Sequence, residues 1–557
     1  VDGAANFAAD VTFANGADLI TASAGTSNFR AGVNAGNSIT SGGNYNVVVG
    51  DEAGTAITTG DENVAIGYAA LDAQQTGGQN IAIGSNALGS EASGSYNTAV
   101  GREALKAQNG ASHNTAIGRT AGMLITTGTQ NTLVGSAAGD AITTGSYNSL
   151  VGVNAGGATT TGAQNVAFGQ GALATNTTGS TNTALGDSSL AANTTASNNT
   201  AVGQAALAAN TTGSENTAVG TNALDANTTA VNNTAVGYGS LTANTDGAQN
   251  TAVGGRSMEA NTTGANNTAF GWGSLVANTT GGSLTALGRS ALANNTTASD
   301  NTAVGWFALV GNTTGANNTA TGKQALGANT TGAHNTAHGS RALLTNTTAS
   351  GNTAVGNDAL LLNTTGAGLV AVGYTALDAN TTGDWNTACG YTALGVNTTG
   401  AQNTAVGTFS LDANTTGVNN TAVGYAALGA NTTAADNTAV GFEALKVTTT
   451  GHSNTAVGKV SLVANTEGLR NTALGFNAGG GVTNGDDNTM IGIFAGNHAV
   501  GTTTGIQNTL IGAQTRADSA GSGQTVAIGY DVAGTGGYTT LGNAGSDIRA
   551  LHGNITW

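Results

Sequence analysis

Apolar and polar positions recur along the chain with a period of 17 residues. A glycine marks this period from Gly50 through Gly67 and Gly84 to Gly492, and a short apolar segment precedes each one. In the less regular copies this segment is β-branched, as in Val47–Val49, which favours a strand. Glycine and Asn-Thr-Thr-Gly interrupt each copy before two helical turns could form. The pattern therefore predicts an all-β fold, a parallel β-solenoid of 17-residue coils.

One regular copy predicts two extended pieces, one before the glycine and one around Leu207, the main interior anchor. Side chains alternate across a strand, so Val219 and Thr217 share one face. Because Thr interchanges there with Val and Ile, we expect that face to point inward. Ala218 and Asn216 lie on the opposite, partly apolar face. A strand that is apolar on both faces is usually covered on both, which predicts a second copy of the chain against the outside of the coil.

Asparagine recurs at two positions of the coil. One series runs from Asn176 to Asn431, and the other stands four residues before the glycines, with Leu284 and Leu369 as exceptions. Amides repeated at strand spacing bond along a stack and cap local turns, so both series should fix the register of successive coils. The glycines should occupy tight turns at positive φ. About 29 coils spaced by about 4.8 Å would give a rod of roughly 140 Å.

Changes in the repeat divide the chain into four segments. Residues 1–28 lack the motif and are predicted to form an N-terminal cap or assembly segment. Residues 29–169 form less regular coils, several with Ala-Gly and a later Ile where central copies have Ala-Leu and Asn. Residues 170–475 form the regular shaft, and residues 476–557 hold the terminal coils and a C-terminal cap. Stacks need atypical end units to cover their open ends.

Composition excludes several classes of partner. A net charge of −16 disfavours phosphate backbones and anionic membrane surfaces, so we expect no nucleic acid. No stretch of 18 apolar residues predicts membrane insertion. The chain has no proline, as expected where every strand is paired on both sides. The single cysteine, Cys389, stands where most copies have Val and is expected to be a buried thiol.

The sequence predicts no enzyme, no cofactor and no metal site. Its six histidines show no metal-ligand spacing. His338 replaces Val in a slot predicted to be interior, so we expect a hydrogen-bonded core histidine. Asn-Thr-Thr matches the acceptor pattern for N-glycosylation. An asparagine ladder with turn-forming threonines explains the same residues and is the preferred interpretation.

The position after each glycine varies and often holds an aromatic residue. Exposed rings along a polar rod suit stacking on sugar faces or contacts with protein. Packing against an adjacent coil or subunit explains them equally well. The candidate surface or glycan contacts are Tyr68, Tyr238, Trp272, Trp306, Tyr374, Tyr391 and Tyr425, and Phe442, Phe476 and Tyr530 occupy the same position.

The residues Asn63-Val64-Ala65-Ile66-Gly67 resemble the head repeats of YadA-like trimeric autotransporter adhesins. The longer unit Asn-Thr-Ala-Val-Gly-x-x-Ala-Leu-x-x-Asn-Thr-Thr-Gly is similar to repeats of bacterial and phage tail-fibre-type proteins with a C-terminal intramolecular chaperone. The resemblance covers about residues 29–529 and implies a homotrimeric fibre. In that group the chaperone is cut away, and residues 539–557 resemble what precedes such a cut. The present unit is longer than the usual adhesin-head unit.

These observations favour a non-enzymatic extracellular structural fibre or adhesin on a virion or cell surface, attached to surfaces that include glycans. One alternative is a self-assembling extracellular filament, in which the N-terminal segment adds a strand to the next subunit. Another is an ice-binding solenoid, in which the rows of Thr211 and Thr212 present hydroxyl groups. The expected partners are the chain itself, as a homotrimer or an end-to-end filament, and a host or cell-surface glycan.

Overall fold

The structure is a computed structural model that describes residues 25–497, 503–543 and 545–552. The chain divides into two compact units, Val1–Asn250 and Thr251–Trp557. In the described parts of both units the regular secondary structure consists of short strands. The predicted N-terminal cap, residues 1–28, falls mostly on residues 1–24, which lie outside the described residues.

The first unit is a parallel β-solenoid with one three-residue strand in each coil. Each strand pairs in parallel with the next, and the partners in β12 and β13 are 17 residues apart, as in Thr217 and Thr234. The spacing between β1 and β2 is 18 residues, since Phe29 pairs with Val47. The strands of this unit are β1 (Phe29–Ala31), β2 (Val47–Val49), β3 (Val64–Ile66), β4 (Ile81–Ile83), β5 (Thr98–Val100), β6 (Thr115–Ile117), β7 (Thr132–Val134), β8 (Ser149–Val151), β9 (Val166–Phe168), β10 (Thr183–Leu185), β11 (Thr200–Val202), β12 (Thr217–Val219) and β13 (Thr234–Val236).

The second unit continues the same architecture and ends differently. Its three-residue strands are β14 (Thr251–Val253), β15 (Thr268–Phe270), β16 (Thr285–Leu287), β17 (Thr302–Val304), β18 (Thr319–Thr321), β19 (Thr336–His338), β20 (Thr353–Val355), β21 (Val370–Val372), β22 (Thr387–Cys389), β23 (Thr404–Val406), β24 (Thr421–Val423), β25 (Thr438–Val440), β26 (Thr455–Val457), β27 (Thr472–Leu474), β28 (Thr489–Ile491) and β29 (Thr509–Ile511). The last strands are β30 (Arg516–Ala517), β31 (Val526–Tyr530), β32 (Ala533–Gly534), β33 (Tyr538–Asn543) and β34 (Ser546–Leu551). β33 pairs with β31 in parallel, and β34 is antiparallel to β33. The predicted fold class, an all-β parallel β-solenoid of 17-residue coils, is confirmed.

The central residue of each strand lines the interior of the coil. Ala218 and Asn216 are fully buried, whereas Thr217 and Val219 point outward and are only partly buried. The prediction that Thr217 and Val219 face the interior was therefore wrong. The narrow interior already holds the fully buried side chain of Leu207, so a small residue fits opposite it. The β-branched residues outside reflect strand propensity, which does not require burial.

The segment around Leu207 is a series of turns, and the prediction of a second extended piece there was wrong. Ala205 and Leu207 have φ values of 54° and 53°. Such left-handed residues interrupt a pleated strand and cost about 1–2 kcal/mol each. Burial of a leucine side chain contributes about 1.5–3 kcal/mol and offsets this cost. Leu207 is confirmed as an interior anchor, and its N–H donates to the carbonyl of Ala223 in the next coil at 3.0 Å.

The recurring glycine is required by its conformation and by its neighbour. Gly220 has a φ of 140°, as predicted for a tight turn. A Cβ atom added to it would lie 2.5 Å from the carbonyl oxygen of Gly237 in the next coil. Successive glycines therefore stack backbone against backbone, and no side chain fits between them.

The two kinds of coil exchange volume across the interior. In regular coils Leu207 lies opposite a strand alanine. In flanking coils its place is taken by a glycine such as Gly139, and the strands carry Leu133 and Leu150. A Cβ atom on Gly139 would lie 2.7 Å from Cδ1 of Ile142 and 3.0 Å from Cδ2 of Leu133. Both kinds of coil fill the same narrow interior, one from the turn and the other from the strand.

Candidate functional site

Both asparagine columns bond along the stack, as predicted. The Nδ2 group of Asn210 donates to Oδ1 of Asn193 at 3.0 Å and to the carbonyl of Gly213 at 2.9 Å. In the second column the backbone N–H of Asn216 donates to Oδ1 of Asn199 at 2.9 Å. Asn210 is fully buried. Because the amide that would carry a sugar is enclosed and bonded, the folded coil does not present it to a glycosyltransferase.

One position of the corner column holds a buried carboxylate. Glu91 is fully buried, and its oxygens accept hydrogen bonds from the backbone N–H groups of Ser93, Gly94 and Gly110 at 3.0, 2.5 and 2.7 Å. The side-chain amide of Gln108 donates to it at 2.9 Å. These donors are part of the coil itself. Glu91 therefore serves the structure and has no opening toward a substrate.

The outward side chains of the strands form an uncharged, largely apolar surface in each unit. We call it the strand face and define it as the first and third residues of strands β2 to β29. None of these residues is Asp, Glu, Lys or Arg. Its exposed large apolar side chains include Ile66, Ile83, Ile117, Phe168 and Leu185 in the first unit, and Phe270, Leu287, Val372, Val406 and Leu474 in the second.

Two residues predicted to be interior lie on the strand face. His338, the last residue of β19, is exposed, and so is Cys389, the last residue of β22. Both predictions were wrong because the slot that Val normally fills points outward. In the second unit His338 and its strand partner Thr321 form a polar interruption of this apolar surface.

The seven candidate aromatic residues all lie exposed on the turn that follows a strand. Their exposed fractions run from 42% for Trp306 to 65% for Tyr238. The guanidinium carbon of Arg289 lies 5.4 Å from the ring centroid of Trp272, and the Lys323 Nζ lies 4.9 Å from that of Trp306. These cation–π contacts join residues of adjacent coils and occupy one face of each indole. Glycan contact by these residues remains a prediction.

Five rings of the second unit form a continuous aromatic row. Tyr374 and Tyr391 stack with centroids 5.5 Å apart and planes 9° apart, and Tyr425 and Phe442 stack at 5.2 Å and 15°. Phe409 stands between the two pairs and meets Tyr391 and Tyr425 edge-on, at 83° and 84°. Sequence reasoning missed Phe409 because it stands two residues after its glycine, whereas the other four stand one residue after theirs.

Open grooves lie on both sides of Phe409. One encloses about 430 Å³, and its lining includes Asp412, Tyr425, Gly429 and Lys446. The other encloses about 380 Å³, shares Phe409 and Asp412 with the first, and is also lined by Thr375, Asp378, Thr392 and Gly395. Burial raises the pKa of the Asp378 and Asp412 carboxyls, and hydrogen bonds from backbone N–H groups oppose this shift. The grooves thus combine aromatic walls with half-buried carboxylates.

A second exposed column was not recognised from the sequence. It stands five residues before the recurring glycines, and its members adopt positive φ, such as 63° for both Tyr96 and His113. These two rings stack at 5.0 Å, and in the second unit Arg470 pairs with Asp487 at 2.7 Å. The column brings side chains of successive coils into contact without forming a catalytic cluster. Its signal in the sequence is weak because the position holds almost any polar or aromatic residue.

In the described part of the chain, no group of three or more His, Cys, Asp or Glu residues is arranged to hold a metal ion. No helix among residues 25–497, 503–543 and 545–552 is long and apolar enough to cross a membrane. Comparison of the chain with protein families, with curated proteins and with solved structures gave no match.

Proposed function

We propose that the chain is the subunit of a non-enzymatic extracellular fibre, in which the strand faces of three copies pack together. The rings at the turns remain on the outside of this fibre and bind surface glycans. The fibre attaches a virion or a cell to another surface. The extracellular location and the number of three copies rest on the resemblance to YadA-like adhesin heads and tail-fibre-type repeats.

The strand face is the observation that carries this proposal. Contiguous exposed apolar surface beyond a few hundred Å² usually marks an interaction site. Here Phe168 and Leu185 are adjacent strand partners and both are exposed, as are Phe270 and Leu287. A second copy of the chain offers the same surface at the same strand spacing, so side chains of the two copies can interdigitate from coil to coil. The absence of charge from this face removes the main electrostatic cost of such packing.

Solution mass and the reactivity of Cys389 test the proposal together. We expect the native particle to have three times the 53.6 kDa mass of the chain. We also expect the Cys389 thiol to react slowly with a maleimide in the native particle and completely after denaturation, because the strand face is covered. Cys389→Ser provides the unlabelled control. A monomer, or a trimer whose thiol reacts at the rate of a free thiol, would contradict the proposed assembly.

The two alternatives have their own measurements. The filament depends on the N-terminal segment, which lies outside the described residues, and electron micrographs would separate indefinite polymers from particles of one size. The ice-binding alternative relies on two rows of threonine. The hydroxyl of Thr211 donates to the carbonyl of Thr228 at 3.1 Å, which leaves the exposed row of Thr212 with free hydroxyls. Thermal hysteresis of the purified protein would favour that alternative.

A further inference from the structure

We infer that the two grooves beside Phe409 are adjoining subsites for a linear, uncharged oligosaccharide that runs along the solenoid axis. The inference rests on the proposed function, because it gives glycan binding a location and a chemical class. Together the grooves span the coils that begin at Gly373 and Gly441. They are called the paired grooves below.

Glycines open the paired grooves beside the two carboxylates. Gly395 stands one coil after Asp378 in the same position, and Gly429 stands one coil after Asp412. A Cβ atom on Gly429 would lie 3.4 Å from Oδ1 of Asp412, and one on Gly395 would lie 3.6 Å from Oδ1 of Asp378. A side chain at either position would occupy the space in front of the carboxylate. With glycine there, one side of each half-buried carboxylate faces the groove.

The walls of the paired grooves match the two kinds of surface on a pyranose ring. A sugar presents apolar C–H faces, which pack on aromatic rings such as Phe409 and Tyr425. It also presents hydroxyl groups, which donate strong hydrogen bonds to carboxylates. The hydroxyl oxygens of Thr375 and Thr392 have no hydrogen-bond partner in the structure, and another χ1 rotamer would turn them toward a ligand. The volumes of about 430 and 380 Å³ lie at the lower end of those of small-molecule pockets.

The spacing of the carboxylates indicates a chain of sugars. Asp378 and Asp412 occupy the same position two coils apart, which corresponds to roughly 9.6 Å along the stack. Two linked pyranose rings have a similar length. The ligand should be uncharged, because both acidic groups would repel an anionic sugar. The one cationic side chain at the grooves, Lys446, is already paired with Glu443 at 2.7 Å.

The test uses the full-length protein, two groove variants and a matched control. Phe409→Ala removes the shared wall, and Gly429→Ala fills the space beside Asp412. Gly89→Ala makes the same change beside Asp72, where a Cβ atom would lie 3.5 Å from Oδ1 and the coil has no ring equivalent to Phe409. Cellotetraose, chitotetraose, maltotetraose and tetragalacturonic acid serve as probes in isothermal titration calorimetry. Thermal unfolding of each variant shows whether its coils remain folded.

We expect at least one neutral probe to bind saturably, with affinity reduced at least tenfold in Phe409→Ala and Gly429→Ala and unchanged in Gly89→Ala. Tetragalacturonic acid should not bind. If a neutral probe binds equally to all variants, the paired grooves are not the site, while glycan binding by the fibre stands. If no neutral probe binds at millimolar concentration, the subsites are rejected. The assembly of the fibre is decided separately by solution mass and thiol reactivity.

Discussion

The side-chain amide of Asn210 donates to Oδ1 of Asn193, 17 residues earlier, at a distance of 3.0 Å. The Nδ2 group of Asn227 repeats the contact by donating to Oδ1 of Asn210 at 2.9 Å. Each amide therefore acts as donor toward one neighbouring coil and as acceptor toward the other. All three side chains are fully buried, so water cannot replace a missing partner.

Replacement of Asn210 by alanine should destabilise its coil by about 1–3 kcal/mol, because the buried groups of two neighbours lose a partner. The exposed Thr212 in the same turn offers a control, and Thr212→Ala should change stability by about 0.5 kcal/mol or less. Because each coil contacts only its neighbours, the effect is best measured as amide hydrogen exchange in the adjacent coils. Equal protection in the two variants would show that the ladder contributes little.

Two glycines of one coil separate backbone strain from steric overlap. Gly339 has a φ of 142°, and a Cβ atom on it would overlap the carbonyl oxygen of Gly356. Gly351 has a φ of 72°, and a Cβ atom there meets nothing within 4 Å. We expect Gly351→Ala to cost about 1 kcal/mol. Gly339→Ala should cost at least about 3 kcal/mol, since adjacent backbones must move apart. Urea unfolding compares the two, and similar midpoints would argue against the close approach of the glycines.

The exchange of volume between the two kinds of coil predicts a compensating pair of substitutions. Ala218→Leu should overpack the interior and cost about 1–3 kcal/mol. Leu207→Gly should leave a cavity and cost about 2–5 kcal/mol, less the relief of a left-handed φ. The double variant copies the arrangement of Gly122 and Leu133, where a Cβ atom on Gly122 would lie 2.7 Å from Cδ1 of Leu133. We therefore expect its cost to fall below the sum of the single costs by about 0.5–3 kcal/mol. Additive costs in a double-mutant cycle would contradict the exchange.

Asp225 should make stability depend on pH in the opposite direction from an ion-paired carboxylate. Burial raises the pKa of Asp225 above its ordinary value of 3.8, and backbone hydrogen bonds oppose this shift. The stabilising contribution of the protonated form is complete below the ordinary pKa and is lost as the pH rises through the folded pKa. Asp225→Asn should therefore raise the unfolding temperature at pH 7, and the gain should shrink as the pH falls below about 4.

Asp487 provides the comparison for Asp225. Its hydrogen bond with Arg470 lowers the pKa of Asp487. That contribution is present above the ordinary pKa and is lost as the pH falls through the lowered one. Asp487→Asn should thus lower the unfolding temperature slightly at pH 7 and have no effect in strong acid. Thermal scans between pH 2 and 7 (about five units) measure both variants. The same sign for the two at pH 7 would show that burial does not control Asp225.

The repeat itself was readable from the sequence, but the direction of its side chains was not. Period, strand position, Leu207 and the asparagine ladders follow from spacing alone. Val219 was placed inside because β-branched residues suggest burial, although they also suit an exposed strand. Ala218 was placed on the other face because a small residue gives no sign that it lines a core. The interior is identified only when the exchange between leucine and glycine is seen across it.

The candidate site divides in the same way. The exposed positions of Tyr374, Tyr391 and Tyr425 were predictable because each follows its glycine directly. Phe409 breaks that rule by one residue, and its perpendicular ring depends on rings from two other coils. Grooves of this kind arise from substitutions in several coils at once. A single copy of the repeat therefore does not contain the information that defines them.

Positive φ at several positions of each coil has a consequence for how this protein can change over evolutionary time. Every coil closes its own interior and meets its neighbours through the same contacts. Removal of one complete 17-residue unit from a regular stretch would thus rejoin two compatible surfaces, whereas removal of any other number would place ordinary side chains where only glycine or a tolerant residue can stand. Length in this family of sequences can change only in whole steps, in the manner of a ratchet.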